Sequence, residues 1–144
     1  MRVPAFMTQR IANRFGWHVV QRDGSLLREG IDIAEIAETV EEFYTADASM
    51  QENQSTPRVG RAAHVANERR VMSRVKSLTP TCIRPVFVSG DQVVVRWIFR
   101  FEWLDATVTH MEELAGQRWE GERIAQETFF YDPAQRIPRK PDTL

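Results

Sequence analysis

Cysteine is nearly absent: Cys82 is the single one in 144 residues, so no internal disulfide can form and no cysteine pair is at hand to grip zinc. That usage fits a reducing compartment, and a cytoplasmic protein is expected. Histidine is scarce too, and His18, His64 and His110 share no metal-ligand spacing such as HxxxH, so neither a metal nor another cofactor is expected. An excess of one charge is missing. Nineteen basic residues against 20 acidic ones leave a net charge of −1, which gives no long-range field toward nucleic acid or an anionic membrane. No apolar run approaches the roughly 18 residues of a membrane span, and residues 1–10 lack the apolar core of a signal peptide. Repeats and low-complexity stretches are absent as well. What is present is 42% apolar residues in a chain of single-domain length, enough to build one core.

Gly16, Gly24 and Gly30 interrupt residues 1–30, which read either as a broken first helix or as a hairpin turning at Asp23-Gly24. From Asp32 the pattern is helical. Ile33, Ile36, Ala37, Val40, Phe43 and Tyr44 share one face, Glu35, Glu38, Glu41 and Glu42 the other, and Asp32 can cap the start. TADASMQEN predicts a turn and a short strand, Pro57 to Gly60 a loop, and Arg61 to about Ser77 a second helix, basic outside and apolar within. Then TCIRPVFV, QVVVRWIFRFEWL, TVTHMEELAGQRW and RIAQETFFYD form four strands joined by SGD, Asp105-Ala106 and Glu120-Gly121; connections this tight make neighbours antiparallel. In the second of these strands Val93, Val95, Trp97, Phe99, Phe101 and Trp103 occupy one face, which faces a core or a pocket. Arg96, Arg100 and Glu102 occupy the other. The segment PAQRIPRKPDTL reads as a loose surface tail without chemistry.

Helix, short strand, PRxGR loop, helix and four long antiparallel strands ending in an aromatic-Asp pair is an order that resembles the nuclear transport factor 2-like superfamily, most of all its SnoaL-like branch. The resemblance rests on FYTADASM at 43–50, TPRVGRAA at 56–63, VSGDQVVVRW at 88–97 and RWEGERIAQETFFYD at 118–132. It covers residues 31–133, with 1–30 as an N-terminal extension or first helix and 134–144 as a tail. It implies an α+β fold, a cone-shaped and strongly curved, mostly antiparallel sheet with helices packed on its concave side. Residues 1–30 depart from the family's long, uninterrupted first helix. Members include polyketide cyclases, limonene epoxide hydrolase, ketosteroid isomerases, dehydratases and binding or transport domains, so the resemblance specifies fold better than activity. Set against the epoxide hydrolase branch, Glu52 resembles the position of a water-orienting asparagine, Phe129 stands where a catalytic aspartate would be, and Trp97 and Phe99 replace an arginine and a second aspartate. The acid expected on the last strand of the SnoaL-like cyclases also falls at Phe129. Neither constellation carries over.

Carboxylates beside an aromatic wall remain. Successive strand residues point to opposite faces, so one of Glu112 and Glu113 enters the pocket. A two-residue loop at Glu120-Gly121 puts Glu112 on the face of Glu127, Phe129 and Tyr131, whereas a three-residue loop with a bulge puts Glu113 there. Family members of related strand length use the bulged loop, which favours Glu113. A glutamate among Trp97, Phe99, Phe101 and Tyr131 loses hydration and its pKa rises toward the range useful in acid-base catalysis. Glu52 on the opposite rim supplies a second carboxyl. Met50, Trp97, Phe99, Phe101, Met111, Glu127, Phe129 and Tyr131 are the candidate ligand contacts. His64 and His110 are expected at the surface. The basic run Arg58, Arg61, Arg69, Arg70, Arg74 and Lys76 lacks interleaved aromatics and reads as a solvated helix face, not a nucleic-acid site. The expected function is an isomerase, dehydratase or hydrolase of a small apolar or aromatic metabolite; the alternative is a non-catalytic binding or dimerisation module. A homodimer is expected through the convex sheet face, with no nucleic-acid or membrane partner.

Overall fold

The computed structural model describes residues 40–141. The readings of residues 1–30, and of all but the end of the helix begun at Asp32, lie outside that span. Residues 40–43 are helical and bury Val40 and Phe43; Tyr44, assigned above to the helix, instead opens a strand. The strands are β1 (Tyr44–Glu52), β2 (Arg58–Val59), β3 (Val75–Ser89), β4 (Gln92–Trp103), β5 (Val108–Glu120) and β6 (Arg123–Phe130), with helix α1 (Arg61–Met72) between β2 and β3. One six-stranded sheet results, in the order β2-β1-β6-β5-β4-β3, antiparallel except where β1 lies parallel to β6. This mixed, curled sheet with few helices is the expected α+β architecture. No helix among the described residues is long and apolar enough to cross a membrane.

Strand β4 shows why the sheet has two different faces. Alternation sends Val93, Val95 and Trp97 inward to 1–4% exposure, while Val94 and Arg96 stay outside. The inward residues join Phe43, Ala48, Met50, Val65, Trp119 and Ile124 in the main core. A smaller cluster of Met72, Val75 and Leu78 packs with Phe101 and Trp103 at the other end of the strand. The turns fall where the sequence put them: Ser89 pairs with Gln92 around Gly90, which needs its positive φ of 60°, and Glu120 pairs with Arg123 around Gly121, at 61°.

Three local expectations are corrected. Helix α1 stops at Met72 instead of Ser77, because Val75 to Ser89 joins the sheet as a 15-residue strand. That strand tolerates Pro80 and Pro85 because β3 is an edge, with one side free of ladder partners. His64 is not at the surface but fully buried, facing β1 from α1. As far as Arg139 the tail is docked, not loose. Pro133–Arg136 forms a 3-10 turn capped by Asp132, Gln135 bonds the backbone of Glu112, and Arg139 exchanges two backbone bonds with Val108 at 2.8 Å each. Beyond Phe130 the tail therefore takes the place that β6 vacates beside β5.

Candidate functional site

Pairing with β4 sets which glutamate looks inward, since Glu113 lies opposite the buried Trp97 and Glu112 opposite Ile98, and the β5–β6 hairpin sets which residues of β6 join that face. Its turn consists of Gly121 and Glu122, and near the turn Trp119 faces Ile124; one step on, Arg118 faces Gln126. Ala125 is the extra residue of a β-bulge, and so both Ile124 and Ala125 are buried. Had the pairing begun at Glu120 and Arg123 run on without it, Glu112 would share the face of Glu127. With the bulge, Gln117 lies opposite Glu127, and Glu113 shares their face. The expected outcome is reached, but through a bulge in the strand and not a three-residue loop. Glu112 is excluded from the pocket: its carboxylate is exposed and pairs with Arg96, whose Nε donates at 2.7 Å.

Concave side and helix α1 enclose a cavity of about 860 Å³. Four glutamates line it: Glu52 from β1, Glu68 from α1, Glu113 from β5 and Glu127 from β6. One wall is the aromatic row of β4, in which Trp97 stacks on Phe99 with centroids 5.6 Å apart, and Phe101 on Trp103 at 5.3 Å. Met50, Met111 and Phe129 also line the cavity; Tyr131 does not. Tyr131 sits beyond β6, where its hydroxyl accepts from Arg136 at 3.1 Å. Arg136 in turn pairs with Glu52 at 3.0 Å, so tail and β1 meet at the rim. His110 is exposed, as expected.

The two deepest carboxyls have different surroundings. Glu127, 4% exposed, accepts from the Tyr44 hydroxyl and from Gln117 Nε2 at 2.6 Å, while Trp119 Nε1 donates to Gln117 Oε1 at 3.1 Å. A chain of donors thus runs from Trp119 to Glu127. Burial raises the pKa of Glu127 to about 7 although the bonds from Tyr44 and Gln117 favour its charged form, and the same burial, with Glu127 beside it, pushes the Tyr44 phenol well up. The carboxyl of Glu113, a residue 9% exposed, makes no hydrogen bond among the described residues. Burial first, and then the nearby Glu127, Glu52 and Glu68, raise its pKa to about 8 against a small opposing effect of Arg136. Glu68, half-buried, is raised by burial as well, with Arg58 opposing.

Glu68, Arg58, Arg136, Tyr44 and Gln117 were not singled out as pocket residues from sequence. Tyr44 and Gln117 carried a usable signal, since each lies at an inward alternation position of its strand. Glu68 in ANERRV and Arg136 in the tail carried none, because helix docking and tail docking place them. Among the described residues no group of three or more His, Cys, Asp or Glu is placed to hold a metal ion.

No family model matches the chain, and no curated protein is similar to it. Solved structures are similar throughout. TsrD from Streptomyces laurentii shares 16% identity at a TM-score of 0.67 over 92% of this chain and 93% of its own. An LEH-like epoxide hydrolase of M. tuberculosis shares 13% at 0.66, over 90% and 86%. A SnoaL-like protein from Jannaschia sp. CCS1 shares 14% at 0.65, over 92% and 90%. The chain has the nuclear transport factor 2-like fold. Solved structures with this fold include an NTF2-like protein from Burkholderia pseudomallei and a SnoaL-like one from Jannaschia sp. CCS1.

Proposed function

We propose that the cavity is the active site of an enzyme that isomerises, dehydrates or hydrolyses a small apolar metabolite, with Glu113 as its acid-base group. One observation carries this reading: Glu113 is a buried carboxyl without a hydrogen-bond partner among the described residues, lining a cavity and shifted to about 8. In its neutral form Glu113 donates a hydrogen bond to a ligand oxygen; ionised, it removes a proton beside a carbonyl. Glu127 is held on both oxygens, and after burial its charge is the next cause of the raised Glu113 pKa. Glu52 is occupied by Arg136, which makes it a rim residue more than a second acid-base group. A cavity of this volume suits ligand binding better than a filled dimerisation module.

Proton exchange in D₂O at the carbon beside the carbonyl of small apolar ketones, followed by NMR, tests the reading. The rate is expected to rise through about pH 8 in the wild type and to vanish in Glu113→Gln. A rate equal to that in buffer, or one unchanged by the substitution, overturns it.

For the convex face we propose a homodimer contact. Phe87, Val94, Leu114 and Phe130 are 37–63% exposed there, and the rows Phe87–Val94 and Leu114–Phe130 are paired across strands. Sedimentation showing only a monomer at high micromolar concentration would refute this.

A further inference from the structure

Arg58 and His64 have no part in the acid-base reading, yet they form an organised pair against the cavity. The His64 ring is fully buried on α1, and its Nε2–H donates to the Ala48 carbonyl at 2.6 Å. That leaves Nδ1 as the acceptor for Arg58 Nε at 3.1 Å. Burial lowers the pKa of His64 and the Arg58 charge adds to this, against the Ala48 carbonyl, so the neutral ring that can accept from Arg58 is the stable one. With Nε committed to His64, the two Nη groups form the free edge of the guanidinium. Among the described residues their one hydrogen-bonding contact is Nη2 to the Met50 sulfur, a weak acceptor, at 3.6 Å, and Arg58 makes no ion pair there.

Charge decides what that edge receives. Glutamates outnumber the cations of β1, β2 and α1 that face this part of the cavity, but their charge is conditional. Burial drives Glu68, Glu113 and Glu127 toward the neutral form, and Glu52 is answered by Arg136. A guanidinium stays protonated throughout. The permanent charge at the Arg58 edge is therefore positive, and Glu68, which Arg58 draws back toward its charged form, is the carboxyl a ligand would compete with. Of the arginines that line the cavity, Arg136 pairs with Glu52, Arg70 bonds Asn67 and Arg74 lies over Trp103, which leaves the Arg58 edge without a strong acceptor; one such guanidinium suits one negative charge, and its planar edge matches a carboxylate.

We propose that Arg58, in the orientation His64 gives it, anchors the carboxylate of the ligand, so that the site takes a small apolar acid whose body lies along Trp97, Phe99 and Phe101. This rests on the cavity being a ligand site, as proposed above, but not on Glu113 turning anything over.

Isothermal titration at neutral pH with three probes of one skeleton tests it: 4-phenylbutyrate, 4-phenylbutyramide and 4-phenylbutylamine. The carboxylate is expected to bind about tenfold or more tighter than the amide, and the amine weakest. Arg58→Gln is expected to remove the preference while leaving amide affinity in place. Arg58→Lys keeps the charge but not the fork, and retains only part of the preference. Glu113→Gln is expected to keep it whole, and a wild type that exchanges ketone protons no faster than buffer yet keeps the carboxylate preference removes the catalytic reading and leaves this one standing. Equal binding of the three probes, tightest binding of the amine, no binding of the carboxylate at millimolar concentration, or a preference that survives Arg58→Gln overturns the proposal.

Discussion

Glu112 and Glu113 are neighbours on one strand, yet they belong to two different regions of the molecule. On the convex side Glu112 is solvated and paired with Arg96; on the concave side Glu113 is buried beside other carboxyls and shifted to about 8. Identical chemistry in adjacent positions thus meets different surroundings. The difference lies in which face the pleat assigns to each: Glu113 pairs with the inward Trp97, and Glu112 with Ile98 on the other face.

Removing the carboxyl sharpens the contrast most. A raised folded-state pKa means that the stabilisation associated with Glu113 is fully present below its unfolded value near 4.5 and is lost as pH rises through about 8. Glu113→Gln is therefore expected to be more stable than the wild type by roughly 2–4 kcal/mol above pH 8, and close to it in acid. Glu112→Gln is expected to change stability by less than about 1 kcal/mol at either pH. Urea unfolding across this range measures both, and equal pH slopes for the two variants would erase the distinction between the faces.

Next comes the comparison within the concave face. Glu127 accepts on both oxygens, so in Glu127→Gln, whichever way the new amide turns, either Tyr44 or Gln117 meets a donor where it had an acceptor. A loss of about 1–3 kcal/mol is expected by urea unfolding at neutral pH, opposite in sign to Glu113→Gln. Stabilisation by both substitutions would mean that the donor chain from Trp119 does not hold Glu127 as described.

The smallest effect is the most specific. Deleting Ala125 leaves a regular ladder in which Gln117 still faces Glu127, because the bulge merely accommodates one surplus residue. Stability is expected to change by only about 1 kcal/mol, and the Glu113 titration near 8, followed by carboxyl ¹³C NMR, is expected to persist. Its disappearance would show that the bulge supplies more than register.

Much of the fold was legible in the residues. Period-two alternation along Val93 to Trp103, together with Gly90 and Gly121, located the strands and two of their turns, because pleat and positive φ are local requirements. The inward face of β4 followed from the same rule. Other features depend on distant partners. His64 looked like a surface residue on a basic helix until the Ala48 carbonyl and Arg58 supplied buried partners for both ring nitrogens. Helix α1 was overextended because Arg74 to Ser77 can continue a helix, and only pairing with β4 commits Val75 and Ser77 to a strand. One signal was available and unused: Ile124-Ala125 breaks the alternation of its strand with two adjacent apolar residues, as a bulge does.

The parallel seam between β1 and β6 bears on how the molecule assembles. β3 through β6 are successive hairpins, whose contacts are near in sequence and of a kind that forms in about 1–10 μs. Tyr44 and Glu127, by contrast, lie 83 positions apart, and Glu52 and Arg136 lie 84 apart, so closing the cavity requires bringing distant stretches of chain together after the local pairing can already exist. The candidate chemistry therefore sits on the highest-contact-order part of the fold, and a ligand gripped between β1 and the rest of the sheet would act chiefly on the last step of folding.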